Sequence, residues 1–276
     1  MLDSAQELEG LEIDLLLEGI FQRFGHDFRG YRREPLRRKL LGFMRADGLA
    51  TVSAVQDRML HDAATGIRLL RALSLRPAAL YGDPGHFRVL RAALGTWLRS
   101  RPTPRIWIAE CVAPEDVFGL VILLLEEGLH DKTQIFATGA NETLLQEAAK
   151  GRLSASRLAD YERNYVASGG RRTLREYLRD SGGEPAFEPR LATNITWAQY
   201  NLATDASFNE FELIVCRDTL AEFGPGLKRR TLQLFHESLP RFGLLSVNGI
   251  EHPESDPFIA GYAAMERETG LYRRIV

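Results

Sequence analysis

Cysteine is nearly absent: Cys111 and Cys216 are the two thiols in 276 residues. Two cysteines cannot build a disulfide framework or hold zinc unaided, and such usage suits a reducing compartment. An excess of either charge is also missing, since 35 Lys and Arg stand against 37 Asp and Glu for a net charge of −2. That balance gives no global pull toward nucleic acid or a membrane surface. The longest apolar run, Leu120 to Leu125, is far too short to span a bilayer. The opening residues, Met1 to Glu7, are acidic where a secretory leader would be basic. A soluble, cytoplasmic protein is expected. His26, His61, His86, His130, His236 and His252 are scattered without metal-ligand spacing, so no metal site is expected. The chain also lacks a G-x-G-x-x-G turn, a P-loop, a G-x-S-x-G elbow, an H-E-x-x-H helix and a C-x-x-C pair. These absences argue against dinucleotide, P-loop, α/β-hydrolase and zinc-protease chemistry.

What is present is a globular composition, 45% hydrophobic and 26% charged, long enough for one or two domains. Residues 1–75 carry only helical periodicity. Leu8, Leu11, Leu15, Leu16 and Ile20 recur at helical spacing, and further helices are expected over 34–46, 52–61 and 63–73. From Arg105 the rhythm changes to short apolar strands alternating with helices. The strands are Ile106–Ala109, Gln134–Thr138, Phe211–Cys216, Gly243–Val247 and Gly270–Ile275. Such alternation predicts a Rossmann-like α/β domain over 76–276 with a mostly parallel sheet. The stretch 151–200 breaks the rhythm and reads as an inserted subdomain. In an open parallel sheet the ligand sits at the carboxyl ends of the strands, which directs attention to 109–115, 138–141, 201–202 and 217–222.

Those segments resemble the CheR-type chemotaxis receptor methyltransferases, which use S-adenosylmethionine to methylate receptor glutamates. Trp107 to Asp116 is similar to the family's W-S-A-G-C-S-T-G-E-E cofactor motif, and Asn201-Leu202 to its N-L motif. Phe211 to Phe223 resembles F-D-L-I-F-C-R-N-V-L-I-Y-F. The resemblance implies a methyltransferase fold, a helical N-terminal domain and a small β-subdomain within the insertion. It also implies cofactor contacts from the family-like residues Ala109, Cys111, Glu115, Asn201, Leu202 and Arg217.

The departures from the family pattern fall on chemistry. The glycine after the first strand, where a Cβ would crowd the cofactor, is Glu110, and the second glycine of the turn is Pro114. The carboxylate that grips the ribose hydroxyls is replaced by Gly139, a loss of about 1.5–3 kcal/mol in charge-assisted bonds. The arginine near the transferred methyl group falls on Gly82, and the asparagine of C-R-N falls on Asp218. The tyrosine near the substrate glutamate falls on Glu222, whose charge would repel the incoming carboxylate. Glu110 itself could fill the vacated pocket. These changes predict a retained scaffold without catalytic residues, acting as a binding or regulatory module. An active enzyme with a rewired pocket and a sensor for another small molecule are the alternatives.

A basic segment holds Arg29, Arg32, Arg33, Arg37, Arg38, Lys39 and Arg45. It is either a solvated helix face or a docking surface for a protein partner, and the resemblance favours docking through Arg32, Arg33, Arg37, Arg38 and Lys39. A receptor, a histidine kinase or a response regulator is the expected partner. Nucleic acid is not expected, because aromatic interleaving is limited to Tyr31. The two cysteines read as small buried apolar groups rather than nucleophiles.

Overall fold

A computed structural model describes residues 5–250, 258–266 and 268–276. His252 and the first four residues lie outside them. The chain divides into two compact units, 1–75 with 222–230 and 76–221 with 231–276.

The first unit holds α1 (Ala5–Phe24), α2 (Arg33–Asp47), α3 (Val52–His61) and α4 (Ala63–Ser74). Its helices pack around Ile13, Leu16, Ile20, Leu36, Leu40, Val55, Met59 and Leu69, which recur at helical spacing and are buried. Local chemistry fixes their ends. Thr51 caps α3 by accepting from the Ala54 amide, and Asp62 caps α4 by accepting from Ala64 and Thr65. Gly48 takes the left-handed conformation that closes α2 (φ 66°).

The second unit opens with α5 (Pro84–Trp97), which the sequence reading did not assign. Its signature is nevertheless plain: Asp83 accepts from the His86 amide as N-cap, and Pro84 starts the first turn. Then come β1 (Arg105–Ile108), α6 (Glu115–Glu126), β2 (Gln134–Gly139), α7 (Glu142–Ala149) and α8 (Leu158–Ala167). A separate hairpin, β3 (Leu178–Asp180) with β4 (Pro185–Phe187), is antiparallel. The remaining elements are β5 (Ile195–Gln199), β6 (Leu213–Cys216), α9 (Pro225–Glu237), whose residues up to Arg230 group with the first unit, β7 (Leu244–Val247), β8 (Tyr262–Ala264) and β9 (Leu271–Arg274).

Seven strands form one sheet in the order β5-β2-β1-β6-β7-β9-β8. The first five are parallel; β9 and β8 run antiparallel to their neighbours. β5, read from sequence as the end of an insertion, is an edge strand paired with β2, so the inserted piece stops before it. Its half-exposed sequence, Ile195-Thr196-Trp197-Ala198-Gln199, carries no buried-strand signal. β8 was likewise unassigned. The strand order reverses at β1, which opens a crevice between the ends of β1 and β6. Behind it, α6 buries Val117 to Leu124 without interruption, and Trp107 is buried with its indole N–H donating to Thr138 Oγ1 at 2.8 Å. No helix among the described residues is long and apolar enough to cross a membrane.

Candidate functional site

A cleft of about 420 Å³ lies at this switch point, within the α/β unit. Its apolar wall includes Pro77, Phe87, Ile108, Leu120 and Val215, and its polar wall includes Arg76, Asp83, Glu115, Asp116, Arg157 and Arg217. Of the residues singled out from sequence, Gly82, Ala109, Glu115, Arg217 and Asp218 line it.

The turn after β1 forms one side. Ala109 donates to Val215 O at 2.8 Å and Cys111 to Thr138 O at 2.7 Å, so the turn is stitched to both neighbouring strands. Between them Glu110 takes φ 58°, the left-handed region that favours glycine. The backbone thus keeps a glycine-type bend while carrying a buried carboxylate side chain. Pro114 precedes α6 as an N-cap without a capping side chain, and the Asp116 carboxylate in the first turn reaches back to fix the turn after β1. It accepts from the amides of Val112 (2.9 Å) and Ala113 (3.1 Å).

Arg76 reaches the same carboxylate. Its guanidinium donates to both Asp116 oxygens (3.0 and 3.1 Å) and to the Glu110 carbonyl (2.7 Å). Burial opposes its charge, but Asp116 outweighs that and raises the Arg76 pKa above the ordinary value. Glu115 accepts from the Tyr161 hydroxyl at 2.5 Å and faces Arg157 at 3.8 Å. Arg217 donates to Asp83 (2.8 Å) and to the Thr269 carbonyl (3.0 Å). Asp218, also at positive φ (61°), is held by Asn248 through its amide and its carboxylate. His86 sits below, bonded to Thr269 O (2.9 Å) and Ser246 Oγ (3.1 Å). Burial first, then Arg217, push its imidazole down to about 4, so it is neutral at pH 7. The charges lining the cleft are therefore largely engaged with one another.

The other sequence-derived residues do not line this cleft. Cys111 is buried, its thiol pointed at Ile108 O, and burial pushes it well above the ordinary thiol range. Asn201 turns onto its own loop, accepting from Ala203, and Leu202 is buried beside it. Gly139 ends β2 against the turn: a Cβ added there would lie 2.6 Å from the Cys111 carbonyl oxygen. Glu222 groups with the helical unit, where its carboxylate accepts from Lys39 at 2.7 Å. It is not the bare repelling carboxylate that the sequence suggested, because an ammonium neutralises it.

The basic segment is similarly compensated. Arg37 pairs with Glu9 at 2.5 Å, Arg33 with Asp14, and Arg29 with Glu18 and Asp27. The amide of Arg32 donates to the Glu222 carbonyl at 2.7 Å. Arg38 is exposed without an ion-pair partner among the described residues. Sequence reasoning missed Arg76, Asp83, His86 and Arg157. Only Asp83 announced itself, through the Asp-Pro start of α5.

Residues 78–256 match the description CheR methyltransferase, SAM binding domain, and residues 11–74 match CheR methyltransferase, all-alpha domain. The chain belongs to the CheR methyltransferase family. The putative methyltransferase Cher3 of Pseudomonas putida is 36% identical over 264 residues, covering 96% of this chain and 97% of that protein. A chemotaxis protein methyltransferase of Listeria innocua is 24% identical, covering 82% of this chain and 84% of that one. The chemotaxis protein methyltransferase Cher2 of Pseudomonas putida is 22% identical, covering 77% and 80% respectively. The fold is the Rossmann-like methyltransferase fold with an all-α N-terminal domain.

S-adenosylmethionine is the cofactor of the CheR family's SAM binding domain. The residues present fit it poorly at the ribose. The position after β2 that should offer a carboxylate is Gly139, and the Cys111 carbonyl occupies the space a side chain would need. In the cleft, Arg76 already engages the Glu110 carbonyl and Asp116. Among the described residues no group of three or more His, Cys, Asp or Glu could hold a metal ion.

Proposed function

We propose that this CheR-family protein has lost methyl transfer and works in the cytoplasm as a non-catalytic binding or regulatory module in chemosensory-type signalling, with a receptor, histidine kinase or response regulator as partner. The observation that carries this reading is the contact between Gly139 and Cys111. A carboxylate at position 139 would need the backbone of the turn after β1 to move, because a Cβ at 2.6 Å from a carbonyl oxygen is a clash. The loss is therefore built into the packing and is more than one missing side chain. Glu110, Pro114, Gly82 and Asp218 alter the cofactor and catalytic positions in the same direction, while the strands between them stay intact. Calorimetric titration of the whole protein with S-adenosylmethionine and S-adenosylhomocysteine tests it. Absence of micromolar binding is expected, and micromolar binding of either would overturn the reading.

One observation favours a second reading. The cleft at the switch point remains open at about 420 Å³, with Ala109, Glu115 and Arg217 in its lining. That volume suits either an active S-adenosylmethionine-dependent protein-glutamate methyltransferase with a rewired pocket or a sensor for another small molecule. Methyl transfer from labelled S-adenosylmethionine to receptor or kinase fragments would establish the enzyme.

A further inference from the structure

Arg76 is a buried cation that the proposed function leaves without a role. Its side chain is 5% exposed, yet it lines the cleft. Its donors meet an acceptor set made of the Asp116 carboxylate and the Glu110 carbonyl. That set does not depend on Arg76 for its geometry. Asp116 is already fixed by the amides of Val112 and Ala113, and the turn is fixed by the neighbouring strands. The fit of Arg76 is also incomplete, since its Nε is buried and has no hydrogen-bond partner. Without the guanidinium, the lining would hold Asp83, Glu115, Asp116 and Asp218 against Arg157 and Arg217. A site with that surplus of carboxylates attracts a cation.

We propose that Arg76 is an internal occupant of a cation-binding subsite, an autoinhibitory contact that holds off an external ammonium or guanidinium group. The inference rests on the proposed function, because it supplies one reason why the cleft does not take the family's cofactor. It also predicts something that reading does not: removing the guanidinium creates a site for small organic cations. A ligand ammonium would donate to the Asp116 carboxylate and the Glu110 carbonyl in place of Arg76, and it would leave no buried donor unpaired.

The test compares wild type with Arg76→Met, which keeps most of the buried methylene stem, and with Arg76→Lys, which keeps the charge but loses the two-pronged contact. Each protein is titrated with S-adenosylhomocysteine, whose α-ammonium is the probe. Each is also melted with and without millimolar methylguanidinium. For Arg76→Met, binding at least about tenfold tighter than wild type is expected, the scale of one charge-assisted hydrogen bond. Methylguanidinium should raise its melting temperature and leave wild type unchanged; Arg76→Lys should fall between them. If Arg76→Met binds no tighter and methylguanidinium does not stabilise it, the inference is overturned. It is equally overturned if both variants fail to fold, since Arg76 would then be a structural tie. Micromolar binding by wild type would instead defeat the proposed function, and the ratio between variant and wild type would still judge the inference.

Discussion

The two units differ in how far they bury charge. In the helical unit, ion pairs lie on the surface: Arg33–Asp14 and Arg37–Glu9 join side chains that are roughly a quarter to two-thirds exposed. Such pairs contribute about 0–1 kcal/mol each, because water screens them and ordering long side chains costs entropy. The α/β unit has surface pairs as well, such as Arg175–Glu162, but it also holds carboxylates inside. The Glu126 carboxylate, 2% exposed, accepts from Arg91 at 2.6 Å, Tyr177 at 2.9 Å, the Arg171 amide at 3.1 Å and the Tyr165 hydroxyl. Burial works against it, but these donors hold its carboxyl below the ordinary carboxylate range. The same amino acids are thus mostly surface decoration in the helical unit, whereas the α/β unit also uses them as buried structural ties.

Breaking the Glu126 network should have the largest effect. Glu126→Ala leaves the Arg91 guanidinium buried beside one remaining carboxylate, Glu127. A loss of about 3–5 kcal/mol is expected in urea or thermal unfolding. A loss under about 1 kcal/mol would erase the contrast between the units.

The next effect comes from His86 and is read as pH dependence. Its folded pKa of about 4 lies below the ordinary 6.5, so in that window the unfolded chain binds the proton more readily than the folded one. Stability from this group is complete above about pH 6.5 and drains away as pH falls toward 4, by about 3 kcal/mol in total at 1.36 kcal/mol per unit. Comparing unfolding curves of wild type and His86→Gln from pH 7.5 to 4.5 isolates the contribution. Parallel curves would mean that His86 is not buried neutral.

Lys39–Glu222 sharpens the comparison, because it is the helical unit's half-buried exception, with side chains 14% and 16% exposed. Lys39→Met should cost about 1–2 kcal/mol, between the surface and buried regimes. Reversing Arg37, Arg38 and Lys39 together is accordingly not neutral for stability, although the sequence alone presents them as one exposed basic run. Arg38→Glu is the clean probe of docking. It should leave the melting temperature nearly unchanged and weaken capture of an acidic protein partner. Capture that ignores the reversal would return this helix to the solvated surfaces.

Much of the scaffold was legible before the structure. The four N-terminal helices stand where helical spacing placed them, although Leu8, Leu11 and Leu15 of α1 are exposed and Ile13 and Leu17 join Leu16 and Ile20 in the core; β1, β2, β6, β7 and β9 follow from short apolar runs. What escaped were elements whose signal is weak in one dimension. β5 and β8 are edge strands with most of their residues exposed, and α5 was visible only through its Asp-Pro start. At the site, motif positions located the turn after β1 but not what fills it. Arg76 lies 40 residues from Asp116 along the chain, and no local pattern links them.

By itself, the sequence determined the alternation of elements and the identity of the groups delivered to each strand end. Both are local properties, set by apolar periodicity and by which residue stands in a motif. The tertiary structure decided which charges meet. It gave Glu222 to Lys39, tied Asp116 to Arg76, and set the Cys111 carbonyl where a side chain at position 139 would go. Those pairings depend on distances between residues remote in the chain, and a buried charge or a blocked Cβ acquires its meaning only from the neighbour that folding places beside it.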